Sequence, residues 1–146
     1  MPAGTSTGPN DALTAAAFAI TVGGIALAQF SELVELSSGL DPSELELGPN
    51  QRRKALKQAL PTVTLLRGQN NDLSLATWHH DALAAANARR DAVLTMYSTA
   101  GAPVAKYNLK SAWPARIEIT GVKAGGSQVL FERVTFACED IQRVAP

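Results

Sequence analysis

Leu60-Pro61-Thr62-Val63-Thr64-Leu65-Leu66-Arg67-Gly68, followed by Gln69-Asn70-Asn71-Asp72 and a run through Trp78 to Ala88, is the stretch that decides the fold. Its first part is rich in β-branched residues, and Thr62 and Thr64 alternate with Val63 and Leu65, which predicts a strand. Gly68 and the Asn-Asn-Asp cluster end it. Asp72 is a suitable first-turn acceptor, so a helix is expected over about 72–88. Leu75, Trp78, Ala82 and Ala85 or Ala86 then form one narrow apolar stripe. No other segment makes a convincing amphipathic helix. One helix therefore covers a β core.

Upstream, Phe18, Ile20 and Val22 alternate with Ala19 and Thr21, and Gly23-Gly24 signals a two-residue hairpin. On the return strand the apolar phase slips after Leu27, which places a bulge near Ala28 to Phe30. Downstream, Asp91 to Ser98 reads as a strand, and Val104 to Lys110 alternates cleanly after the Ala100–Pro103 turn. Trp113-Pro114 is expected to interrupt it before Ile117 and Ile119 resume, because proline cannot donate to a ladder. After the Gly125-Gly126 turn, Val129 to Cys138 forms the last long strand. Six to eight strands and one helix make a mainly β domain, an antiparallel barrel or sandwich flanked by a single helix. Phe30, Leu65, Trp78, Trp113 and Phe136 are its candidate core.

With 146 residues, one domain over 12–146 is the simplest division, behind a flexible Gly/Pro/Ser/Thr arm at 1–11. Thirteen basic and thirteen acidic residues cancel, so specific nucleic-acid binding and membrane attraction have no electrostatic basis. The uncharged run Ala12–Ser31 lacks a basic segment before it and carries Thr14, Thr21, Gly23, Gly24 and Gln29. Neither a secretory signal nor membrane insertion is expected from it. The lone Cys138 rules out an internal disulfide and reads as a buried core thiol.

Catalytic and metal motifs are missing from the sequence. His79 and His80 are adjacent, so on a helix they point about 100° apart and cannot share a metal. No nucleophile elbow, Walker loop or dinucleotide fingerprint occurs. Glu118, Glu132 and Glu139 fall in strand patterns near basic residues, where solvated pairs are expected. Neither enzyme activity nor a cofactor is predicted. The loop over 37–59, with Glu44 and Glu46 before a basic knot of Arg52, Arg53, Lys54 and Lys57, is long enough to serve docking.

Several ordered stretches resemble the tail tube protein family of contractile phages and extracellular contractile injection systems. Phe30-Ser31-Glu32 with Leu36 is similar to that family's Gly-Phe-Ser-Glu segment. Leu60-Pro61 through Leu66-Arg67-Gly68 resembles its Pro-x-x-x-Thr-Leu-Lys-Arg-Gly strand, with Leu66 where lysine is usual. Leu75 and Trp78 match the following helix, Ala100–Ala105 with Tyr107-Asn108 the next hairpin, and Ala112-Trp113-Pro114 its bend. Leu130-Phe131-Glu132, Phe136 and Glu139 match the final strand.

The resemblance, from about Leu13 to Arg143, implies a barrel subunit, six to a ring, whose rings stack into a hollow tube driven by a contracting sheath. Its partners would be itself, sheath, baseplate and tube-cap proteins, with protein cargo in the lumen. Such a subunit would be made and assembled in the cytoplasm. Glu44, Glu46, Arg52, Arg53, Lys54 and Lys57 would then dock ring on ring, and Lys106, Lys110, Arg116 and Glu118 would form a solvated or lumen face. The alternatives are a monomeric small-molecule-binding barrel and a type VI secretion tube or effector carrier.

Overall fold

The structure is a computed structural model that describes residues 8–40, 58–121 and 124–146. The described residues form eight strands, one helix and a short 3₁₀ turn: β1 (Ala17–Val22), β2 (Ile25–Phe30), β3 (Glu32–Leu40), β4 (Gln58–Gly68), α1 (Ser74–Ala84), the turn Ala86–Ala88, β5 (Arg90–Tyr97), β6 (Pro103–Thr120), β7 (Phe131–Ala137) and β8 (Asp140–Val144). All pairings among the described residues are antiparallel. Sheet I runs β2-β1-β5-β6-β8, and sheet II runs β6-β7-β4-β3. The 18-residue β6 belongs to both. Of the two β architectures expected, the sandwich is the one formed; among the described residues the sheet does not close into a barrel.

The corner is made within β6, not by a break in it. The expected interruption at Trp113-Pro114 is instead a bend inside one continuous strand. Ser111 takes φ 49, and the ladder to β7 shifts register between Pro114 and Arg116. Proline lacks the N–H a central ladder needs, so the register shift lets the strand carry it. Pro61 in β4 has the same relation to its neighbour: the β3 pairing jumps from Thr62 to Ala59 across it. On the far side of the sandwich the chain changes sheet at Ser31, whose N–H donates to the Leu66 carbonyl at 2.9 Å.

The β1–β2 hairpin turns on Gly23 and Gly24, with φ of 62° and 80°. Both values are costly for residues with a Cβ, so the glycine pair is required there. The bulge falls one residue earlier than expected, at Leu27, where Ile20 pairs with Ala28 but Thr21 with Ala26.

The helix is shorter than the sequence pattern suggested. Leu73 occupies the cap position without a side-chain bond. Asp72 acts one residue earlier, its Oδ1 accepting from the Ser74 N–H (2.9 Å) and hydroxyl (2.7 Å). These two bonds hold the exposed Asp72 carboxyl below its ordinary pKa, the Ser74 hydroxyl contributing most. Beyond Ala84 the stripe no longer meets a surface: Ala82 is half-buried and Ala85 exposed, and the chain passes into the 3₁₀ turn.

Leu75 and Trp78 are the helical residues that enter the core. There Trp78 lies 5.9 Å from Phe136, which meets Phe30 edge-on at 6.3 Å and 89°. Val63, Leu65, Leu94 and Val134 complete a fully buried centre. Trp113, expected in the core, is half-buried; Arg89 stacks on its ring at 4.0 Å. Among the described residues, no helix is long and apolar enough to cross a membrane.

Candidate interaction surfaces

Lys106 and Lys110 project from the outer face of sheet I, since Ala105 and Leu109, each immediately before one of them, are buried. They line an open groove of ≈ 730 Å³ with Asp91, Asp140, Thr95 and Asn108. The groove carries two lysines against two aspartates, so it is polar without a net charge. Lys110 pairs across the ladder with Asp140, and Asp91 Oδ1 accepts the Ser111 N–H at 2.9 Å. That last bond holds the β6 bend against β5 and satisfies a backbone donor exposed by the positive φ of Ser111.

Arg116 and Glu118 are elsewhere. They belong to the β7-paired half of β6, opposite Thr135 and Arg133, on the outer face of sheet II. Thr64 and Thr135 meet on that face at 3.1 Å. The two sheets pack back to back, so the four residues grouped by sequence occupy opposite surfaces, two on each. Glu44, Glu46, Arg52, Arg53, Lys54 and Lys57 lie outside the described residues.

Glu132 is a correction to the expectation of a solvated carboxylate. It is 4% exposed and accepts from Arg67 Nε at 2.8 Å, with Arg67 itself 5% exposed and 5.5 Å from the Phe30 ring centroid. Sequence did hold a signal for this: Glu132, Val134 and Phe136 share one strand parity, and the last two are core residues. A buried carboxylate needs a paired partner, and β4 supplies Arg67 at the directly opposite ladder position.

Two further groups tie the helix and C-terminus to the sandwich. His79 Nδ1 lies 2.6 Å from the Pro114 carbonyl, so the imidazole carries a proton on that nitrogen and donates it to the β6 bend. Cys138 is fully buried, with Sγ 3.7 Å from the Pro61 carbonyl. Burial, helped by the nearby Asp140 charge, pushes its thiol up to about 11. A thiol so shifted stays protonated at neutral pH and is a poor nucleophile. Among the described residues no cluster of three His, Cys, Asp or Glu side chains could hold a metal.

A family model described as T4-like virus tail tube protein gp19 matches residues 14–142. The chain belongs to that family. Solved structures share the tail tube fold at low identity. A chain in the anti-feeding prophage baseplate is 20% identical, with TM-score 0.62 over 96% of this chain and 98% of that one. One in the sheath–tube complex of the PVC extracellular contractile injection system is 16% identical, with TM-score 0.61 over 97% and 100%. A type six secretion system protein is 12% identical, with TM-score 0.52 over 88% and 83%. No curated protein matches the sequence.

Proposed function

We propose that this tail tube protein is the structural, non-enzymatic subunit of the inner tube of a contractile injection machine. The observation that carries the reading is the family match over residues 14–142, on a chain whose β, one-helix fold matches whole tube subunits end to end. Six copies close a ring, and rings stack into a conduit that sheath contraction drives through a target envelope. Its partners are further copies of itself, then sheath, baseplate and cap proteins. Assembly takes place in the cytoplasm.

The groove face of sheet I is the better lumen candidate. It is concave, polar and balanced in charge at Lys106, Lys110, Asp91 and Asp140, so a protein cargo would find few anchoring points. Arg116 and Glu118 then face away from that lumen. The loop carrying Glu44, Glu46, Arg52, Arg53, Lys54 and Lys57 docks on the next ring. The ligand-binding-barrel alternative loses support, because Leu65, Phe136 and Leu94 fill the space between the sheets. The type VI alternative shares only the fold.

Negative-stain electron microscopy with light scattering tests the reading directly. Six-fold rings or hollow tubes are expected. A strict monomer at high concentration and in the presence of baseplate partners would overturn it.

A further inference from the structure

Sheet I ends in two strands that each have one ladder partner among the described residues: β2, paired with β1, and β8, paired with β6. The pairings β2–β1, β1–β5, β5–β6 and β6–β8 are all antiparallel, so β2 and β8 run in the same direction. Neighbours related by a rotation about a ring axis keep that direction. A β8 edge brought against a neighbour's β2 edge therefore pairs parallel, whereas a two-fold contact would pair like edges.

The β2 edge is built to accept a partner. Ile25 to Phe30 carries no charge and no proline, and Ile25 is 74% exposed at its tip, so apart from the bulge at Leu27 nothing guards this edge against pairing. Beside it, on the helix side of the sheet, is a groove of ≈ 450 Å³ floored by Leu27 and Trp78 and rimmed by Asp72 and Asp81 against Arg90. The rim has a net negative charge.

β8 carries the matching cation. Ile141 pairs with buried Leu109 and so faces the helix side, and Arg143, two residues on, shares that side. Following the ladders straight across the sheet, Arg143 is level with Tyr107, Leu94, Ile20 and Ala28. A neighbour's β8 laid beside β2 without slip thus brings its Arg143 to the bulge at Leu27, where the acidic groove opens. Arg143 is exposed, and the one ion pair among the described residues is Arg67–Glu132.

We infer that adjacent subunits join through a parallel β8–β2 seam closed by Arg143 of one copy entering the Asp72/Asp81 groove of the next. This rests on the ring-forming reading above. A single ion pair on a short parallel ladder is modest in strength, so it selects the edge and register and leaves most of the affinity to the ladder and Ile25.

The test is a charge swap in the full chain, read as the concentration giving half-maximal ring assembly. Arg143→Glu and Asp81→Arg each raise it about tenfold by facing like charges, and the double variant returns to within about threefold of wild type. The monomer's thermal midpoint is measured alongside and stays unchanged in all three, which separates loss of assembly from misfolding. As a second measurement, Asp81→Cys with Arg143→Cys gives a ladder of covalent oligomers with a short bis-maleimide, and neither single variant does. The buried Cys138 does not compete. Wild-type rings with single variants that assemble normally, or a double variant no better than the singles, overturn the seam and leave the tube reading standing. A wild type that never forms rings overturns both.

Discussion

Glu132 and Arg133 are consecutive on β7, yet they live in different solvents. Glu132 turns inward to Arg67 and is almost sealed; Arg133 turns outward beside Glu118 and is exposed. Both lie opposite a residue of unlike charge on an adjacent strand. Only the inner pair closes to ion-pair distance, at 2.8 Å. Charge complementarity in the sequence therefore says little about energy. Strand parity decides, because it sets the dielectric in which the pair sits.

The largest expected effect comes from breaking the inner pair on one side. Arg67→Ala leaves Glu132 buried without its cation and should cost about 3–5 kcal/mol, the usual penalty for an orphaned buried charge. Urea unfolding measures it. Arg67→Met with Glu132→Leu should recover most of that loss, since both charges leave together and the volume is kept. A double variant as unstable as the single one would show that the pair contributes more than its own desolvation cost.

Cys138 offers a second inward-facing group with a titration of its own. Its folded thiol ionises near 11 against an ordinary value of 9.0. The folded state favours the protonated form, so this contribution is complete below pH 9 and is lost as pH rises from there through about 11. Two pKa units correspond to about 2–3 kcal/mol at most. Between pH 8 and pH 10.5, wild type should lose about 2 kcal/mol more stability than Cys138→Ala, with tyrosine and lysine titrations common to both. Parallel pH profiles for the two proteins would remove the effect.

The inside–outside division also explains what was legible in the sequence. The Gly23-Gly24 hairpin, the strand from Leu60 to Gly68 and the Leu75–Trp78 helix face are all carried by local chemistry: positive φ, alternation and an apolar stripe. Features set by contacts distant in sequence were harder to read. Trp113-Pro114 looked like a break because the register shift opposite it, at Thr135 and Phe136, is not encoded nearby. The strand Asp140–Val144 is only five residues long and alternates weakly, and it exists because β6 offers it an edge. The candidate lumen residues split for the same reason: Lys106 and Arg116 are on one strand, but the bend at Ser111 carries them into different sheets.

His79 sharpens the comparison at an intermediate depth. It is half-buried and donates to the Pro114 carbonyl, clamping α1 to the β6 bend. His79→Ala leaves that carbonyl short of a donor and should cost about 1–2 kcal/mol. Native-state hydrogen exchange should show the loss first in α1, because the clamp is local.

The outer pair should give the smallest effect. Glu118 and Arg133 are ladder partners on the outer face of sheet II, but the described residues hold no ion pair there within the 2.8 Å geometry of Arg67–Glu132. Water screens both side chains and competes for their hydrogen bonds. A double-mutant cycle of Glu118→Gln and Arg133→Gln should give a coupling of about 0.5 kcal/mol or less. The same cycle on Arg67 and Glu132 should give several times more, because each inner single variant strands a buried charge and each outer one strands nothing. Equal couplings would mean that parity does not set the energetics of β7. The outer pair would then have to be shielded by something other than this chain, which on a tube subunit would be a neighbouring protein laid over sheet II.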